Sequence, residues 1–321
     1  MSKRVLAPNM IGALCAMAAA IFFSINDMAI KFMADGYALH QVVLIRSIVG
    51  MAVWALLIMP LSGGWQVVKT KRLGMHVLRG LCVVFANMCF FLGLATMPLA
   101  EAVAIFFVSP LIITVFSVIF LKEVVGPWRW AAIAIGMAGV IVMMRPGSDT
   151  FQLAALLPVL AATGYACLHI LTRKIGGTES AATMLFYIQM TFIFSSGLIG
   201  LALGDGRFAG SGSASLEFLT RPWVMPATSD WMILVAIGVG GSFGGYLISQ
   251  AYRLSEAAFA APFEYLAMPL AILWGMLVFD EWPDFNAWAG IGLIIGSGLV
   301  LLWREAMQHR MLTKTAPRLR R

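Results

Sequence analysis

Along this chain, long apolar runs alternate with short polar breaks. Ten runs stand out, at about residues 10–33, 41–61, 76–97, 101–121, 128–145, 152–172, 182–204, 230–252, 257–279 and 285–303. Each is close to the roughly 20 residues that a helix needs to cross the hydrocarbon core of a bilayer. The breaks at Pro98-Leu99-Ala100 and near Ser255-Glu256 are too short to allow anything but antiparallel neighbours. The pattern predicts an all-α integral membrane protein with ten transmembrane helices.

The pattern also repeats. Pro110-Leu111, Leu121-Lys122-Glu123, Trp130 and Gly139 return as Pro269-Leu270, Phe279-Asp280-Glu281, Trp288 and Gly298, at offsets of 159, 158, 158 and 159 residues. Each copy holds five spans. Because five is odd, the second copy enters the membrane from the opposite side, which predicts two inverted repeats over residues 10–145 and 152–303, followed by a basic tail at 304–321. Aligning Phe23 with Tyr165 puts Lys31 and Arg173 at equivalent positions.

Composition agrees. Of the 321 residues, 61% are hydrophobic and 12% charged, where a soluble domain carries roughly 25% charged residues. The net charge of +7 lies in loops and the tail, so it reads as membrane orientation and not as a nucleic-acid surface. With the N-terminus inside, 17 of the 22 Lys and Arg residues fall on the cytoplasmic side. Both termini are therefore expected in the cytoplasm of an inner (plasma) membrane protein. Arg318, Arg320 and Arg321 could alternatively contact lipid headgroups. The run beginning at Met10 carries Asn26, Asp27 and Lys31 and reads as a retained first span, not a cleaved signal. Cys15, Cys82, Cys89 and Cys167 lack metal-ligand spacing and read as small buried hydrophobes. The sequence holds no phosphate-binding G-x-x-x-x-G-K-[ST], and its histidines are scattered at 40, 76, 169 and 309. No enzyme, cofactor or metal is expected.

An ionised group at mid-bilayer costs about 3 kcal/mol on insertion scales, so polar residues inside spans are the candidates for function. Asp27 and Lys31 are four apart and can pair on one face; alternatively Asp27 meets a cationic substrate or a proton, with Asn26 lining the same cavity. Arg46 could pair with Asp27 or Asp35, snorkel outward, or hold a substrate carboxylate or phosphate. Glu264, two residues after Pro262 and without Lys or Arg one turn away, is the leading candidate for a substrate or proton site, because a proline bend beside an acidic group is how carriers build a midplane site. Its alternative is a cross-helix hydrogen bond to Tyr187 or His169. His169 is expected to be a packing histidine. Asn87, Tyr165, Tyr187, Gln189, Tyr246 and Tyr265 offer hydrogen bonds, and Phe106, Phe107 and Trp274 offer stacking surface. Glu123 and Glu281, with Pro110 and Pro269, are expected to anchor or gate helix ends. The Gly/Ser-rich stretch 205–229 reads as a linker, or as a lid. The glycines from 238 to 245 read as close helix packing.

These markers resemble the drug/metabolite transporter superfamily of EamA type, carried by Pro110…Glu123 and Pro269…Glu281. Asn26-Asp27-Met28-Ala29-Ile30-Lys31, His76-Val77-Leu78-Arg79-Gly80, Ala261-Pro262-Phe263-Glu264-Tyr265 and Glu281-Trp282-Pro283-Asp284 are similar to the branch holding S-adenosylmethionine uptake carriers and riboflavin importers. That branch often carries Arg where this chain has Glu264. The resemblance implies a secondary carrier for a small-molecule substrate, embedded in lipid, with a central cavity between the halves. It leaves open protons or an exchanged metabolite as driving partner, and a homodimer. An organic cation or zwitterion such as S-adenosylmethionine is the expected substrate. Riboflavin or another aromatic metabolite, and amino-acid or drug export, are the alternatives.

Overall fold

The computed structural model describes residues 8–122, 126–144, 153–210, 212–255 and 260–315. Glu123, Arg145, Glu256 and the arginines at 318, 320 and 321 lie outside them. Among the described residues every element is a helix: α1 (Pro8–Met33), α2 (Leu39–Leu61), α3 (Leu73–Leu94), α4 (Leu99–Leu121), α5 (Pro127–Met144), α6 (Leu156–Ile175), α7 (Ala181–Leu203), α8 (Trp231–Leu254), α9 (Ala267–Phe279) and α10 (Phe285–Thr315). Seven of these are long and apolar enough to cross a membrane, and shorter apolar helices cover Trp130–Met144, Phe263–Phe279 and Phe285–Val300. The apolar side chains left exposed on the outside of the bundle, such as Leu56, Leu201 and Leu277, suit a lipid surround, and the chain is a multi-pass membrane protein.

Local chemistry sets the helix ends. Ser180 caps α7 by accepting the Thr183 amide at 3.0 Å, satisfying one of the orphan donors at a helix start. α4 is interrupted at Phe107–Val108, where the amides of Val108 and Leu111 bond three residues back instead of four. Pro110 causes this: it has no amide to give to the Phe106 carbonyl. Ahead of α9 the same role falls to a 3-10 stretch, Ala261–Leu266, which opens with Pro262 near its start and leads to Pro269 inside α9. α4 and α9 both end on a residue in the left-handed conformation, Lys122 at φ 57° and Asp280 at φ 54°.

The helices pack in pairs: α1 along α8, α3 along α6, α2 against α7, and α5 against α10. Small residues permit the close crossings. A Cβ on Gly139 of α5 would sit 2.9 Å from the Gly290 carbonyl of α10, and one on Gly238 of α8 would sit 2.5 Å from Val49 of α2.

Two expectations change. The last helix runs on to Thr315, so the segment expected as a tail from 304 is helical for most of its length. The stretch 205–229 is not simply a linker. It carries a short helix, Ala214–Thr220, and is tied down repeatedly. Ser215 donates to the Leu92 carbonyl at 2.5 Å, Arg221 to the Ala34 carbonyl at 2.6 Å, and Trp223 to His40 Nδ1 at 2.6 Å. Gln41 bonds both amide groups of its side chain to Val224. The segment therefore covers the ends of α1, α2 and α3. We call this end the long-loop face, and the end carrying residues 62–72 and 176–180 the basic-loop face.

Candidate functional site

A cavity lies at the centre of the bundle, between α1, α2, α3, α4, α6, α7, α8 and the 3-10 stretch before α9. Its cavity volume is about 150 Å³, and it is partly open to solvent. Its walls are largely apolar, and Phe23, Phe90, Phe91, Phe106, Phe107, Tyr165 and Phe192 line it. Phe106, at the interruption of α4, lies 5.1 Å from both Phe90 and Tyr165. An apolar enclosure with a few polar groups is the usual make-up of a small-molecule site.

The polar groups gather at two poles. At the first, Asn26 and Asp27 of α1, Arg46 of α2, Asn87 of α3 and Gln189 of α7 reach the cavity. Arg46 Nη2 donates to Asn87 Oδ1 at 3.1 Å, the guanidinium lies 4.8 Å from the Phe192 ring, and it interacts electrostatically with Asp27. Gln189 is held in place by donating to Ser242, whose hydroxyl in turn donates to the Gly50 carbonyl.

The second pole is built on Glu264, placed in the wall by the 3-10 stretch. Tyr165 of α6 donates to one carboxylate oxygen at 2.5 Å, and Tyr252 of α8 donates to the other. His169, one turn beyond Tyr165, sits edge-on to that ring at 4.1 Å and stacks on Tyr252 at 3.8 Å. Next along α6, Thr172 accepts from Arg79 Nε of α3 at 2.9 Å. Arg79 and His169 are each 1% exposed, and both border the cavity.

Several expectations are corrected here. Lys31 does not pair with Asp27. Its Nζ reaches the helix end, where it meets Glu281 Oε1 at 2.5 Å and the Met97 carbonyl at 2.8 Å. A long side chain near a helix end extends toward the interface, and this leaves Asp27 to the cavity. The other Glu281 oxygen accepts the Leu99 amide at 2.8 Å, so α1, α4 and α9 are joined on the long-loop face. Glu264 bonds neither Tyr187 nor His169. Tyr187 donates to the Val68 carbonyl at 2.8 Å and stacks on His76, while neither ring nitrogen of His169 has a hydrogen-bond partner among the described residues, so it is not the satisfied packing histidine expected.

Three more candidates sit outside the cavity wall. Tyr246 packs beside Trp54, Tyr265 reaches back to the Phe107 carbonyl at 3.4 Å, and Trp274 donates to Ser24 at 3.0 Å. Pro110 and Pro269 lie at the interruption of α4 and early in α9. Sequence reasoning missed Tyr252, the aromatics of α3 and α7, and above all Arg79, which it counted only among the 17 basic residues of the cytoplasmic side. The available signal was spacing: 79, 83, 86, 87 and 90 fall on one face of a helix, the face already marked by Asn87.

The basic-loop face is also tied. Glu179 meets His76 Nε2 at 3.3 Å and accepts from Thr70 at 2.9 Å, and Trp54 Nε1 donates to the Ala182 carbonyl at 2.8 Å.

This geometry, a cavity between paired helices and connected networks at both ends, fits what comparison with known proteins finds. Residues 10–145 match the EamA-like transporter family. The chain is a multi-pass transporter of small metabolites. It is 29% identical over 305 residues to a riboflavin transporter of Vibrio cholerae, covering 93% of this chain and 95% of that one. It is 28% identical over 282 residues to an S-adenosylmethionine uptake transporter of Rickettsia prowazekii, covering 88% and 89%. A riboflavin transporter of Brucella anthropi is 28% identical over 77% of this chain and 82% of its own. These relatives are named as transporters and not as enzymes. A crystal structure at 20% identity superposes with a TM-score of 0.67, covering 92% of this chain and 98% of that chain, which speaks for the fold alone.

Proposed function

We propose that this chain is a secondary carrier that moves a small organic metabolite by alternating access, with the central cavity as its substrate site. Its ten spans form two inverted five-helix repeats, 10–145 and 152–303, with both termini in the cytoplasm. The basic-loop face is then cytoplasmic and the long-loop face external. Helix pairing supports the inversion: exchanging the first five helices for the last five turns the α1–α8 pair into α6–α3 and maps α2–α7 and α5–α10 onto themselves. The distribution of Lys and Arg supports the orientation. Protons or an exchanged metabolite drive the cycle, and Glu264 is our candidate for a proton carrier.

One observation carries the substrate reading. A single aromatic cavity holds two carboxylates, Asp27 and Glu264, and two guanidinium groups, Arg46 and Arg79. A ligand satisfying both signs while stacking on phenylalanines is an aromatic zwitterion or cation, of which S-adenosylmethionine is the type. The second reading is riboflavin, favoured by the phenylalanine walls, since a flat ring system stacks well on them. Purified chain in proteoliposomes, given each labelled compound, tests both. Saturable uptake of S-adenosylmethionine is expected, inhibited weakly by riboflavin. Flux indistinguishable from empty liposomes for both compounds would reject the two substrates.

A further inference from the structure

The four charged side chains of the cavity, of which Arg46, Arg79 and Glu264 are buried, are not equally provided for. Asp27 and Arg46 interact electrostatically, and Arg46 is also satisfied by Asn87 and the Phe192 ring. Glu264 receives two tyrosine hydroxyls. For Arg79 the hydrogen bond seen among the described residues is the one from Nε to Thr172. Among the described residues its Nη1 has no hydrogen-bond partner and no carboxylate forms an ion pair with it. Beside it His169 offers two more unpartnered ring nitrogens. Buried polar groups are nearly always satisfied, and a buried cation without a counter-charge is strongly disfavoured. A guanidinium that is 1% exposed, oriented by a threonine and bordering a cavity with aromatic side chains in its wall, is arranged for an anion that arrives from outside the chain.

We propose that Arg79, with Thr172 and His169, forms an anion subsite at the basic-loop end of the cavity that takes a carboxylate or phosphate group. The planar fork of Arg79 matches the two oxygens of such a group, and a neutral His169 supplies one N–H donor. The aromatic side chains of the cavity wall, Tyr165 and Phe90 among them, would hold the aromatic body to which the anion is attached. The substrate class is thereby narrowed to an aromatic metabolite bearing an acidic group, so that S-adenosylmethionine is preferred over a neutral flavin. Arg46, the sequence candidate for this role, is already partnered.

The inference rests on the central cavity being the transport site, and the test separates the two. The thermal midpoint of the full-length protein is followed against sodium phosphate and sodium acetate at constant ionic strength. We expect a saturable rise in the wild type, a loss of apparent anion affinity of about tenfold or more in Arg79→Gln, and partial retention in Arg79→Lys, which keeps the charge without the fork. A response equal in wild type and Arg79→Gln, or absent in the wild type, overturns the subsite. If Arg79→Gln does not purify, Thr172→Val, which leaves the charge but removes its orienting partner, should weaken the response several-fold; an unchanged response there overturns the proposed architecture.

S-Adenosylmethionine and its decarboxylated form then ask whether the anion is carried by the substrate. The wild type should favour the acid-bearing member by about tenfold, and Arg79→Gln should erase the preference. Equal binding of the pair in the wild type overturns the assignment to a substrate carboxylate and leaves free phosphate as the occupant. Uptake that persists in Arg79→Gln with an unaltered phosphate response would leave the transport cavity standing and remove the subsite. A phosphate response lost in Arg79→Gln, in a protein that transports neither compound, would do the reverse.

Discussion

α4 and α9 are built alike and carry different chemistry. Both are interrupted where they border the cavity, both hold a proline near the break, and both end on a left-handed residue followed by a glutamate in the sequence. At the α4 break the side chains are Phe106 and Phe107. At the α9 break the wall residue is Glu264, held by Tyr165 and Tyr252. The spacing of the repeat puts Ile105 or Phe106 opposite Glu264, at offsets of 159 and 158. The shared scaffold supplies non-helical backbone at the centre of the bundle, which a membrane protein tolerates only where it is buried or lines a cavity. What differs is the group each break presents, so the breaks account for the site's shape and the divergence for its specificity.

The largest expected effect separates those two roles. Glu264→Gln keeps the size and one acceptor but removes the charge, whereas Phe106→Leu keeps an apolar wall and loses the ring. Initial uptake rates in proteoliposomes should fall about 100-fold for Glu264→Gln, as fits the loss of a charged group at a desolvated site. Phe106→Leu should lower them about tenfold or less, near the value of one aromatic contact. Equal losses, or a Glu264→Gln protein with unchanged kinetics, would dissolve the contrast between the breaks.

A smaller effect is expected where α9 ends. Glu281 joins Lys31 of α1 to the Leu99 amide of α4, and both side chains are more than two-thirds buried. Removing the charge with Glu281→Gln should weaken the tie by about 1 kcal/mol, which is about a fivefold change in the population of opened molecules. A cysteine at Met97, whose carbonyl receives Lys31, should then react several-fold faster with a water-soluble maleimide. An unaltered labelling rate would mean that the segment 205–229, and not Glu281, holds this face closed.

Much of the architecture could be read in the sequence because the bilayer imposes a coarse rule: twenty apolar residues make a span. The likeness of α4 and α9 was readable too, since Pro110/Pro269 and Lys122/Asp280 mark backbone events that both helices share. The site was only partly readable. Asp27, Asn87 and Glu264 stand out because they are polar within apolar runs. Lys31 misled because its i+4 spacing to Asp27 says which face it shares but not how far a flexible side chain extends, and a partner 250 residues away leaves no local trace. Arg79 misled because it lies early in α3, where a basic residue usually faces solvent. Tyr252 looked like one more aromatic near a helix end until the 3-10 stretch brought Glu264 to it.

The smallest expected effect concerns the two left-handed residues themselves. An L-residue with a Cβ is strained there by about 1 kcal/mol, and glycine is not, though glycine has more freedom to lose on folding. Asp tolerates the conformation better than Lys because its short polar chain can bond locally, and Asp280 Oδ1 does accept from Trp282 Nε1 at 3.4 Å. Both side chains are exposed, so little packing is lost on removing either. Lys122→Gly should therefore stabilise by about 0.5 kcal/mol, raising the thermal midpoint by about 1–2 °C, while Asp280→Gly should leave it within measurement error or lower it slightly. If the two substitutions shifted the midpoint equally, the ends of α4 and α9 would be equivalent in energy as well as in shape, and the divergence between the helices would be confined to their breaks.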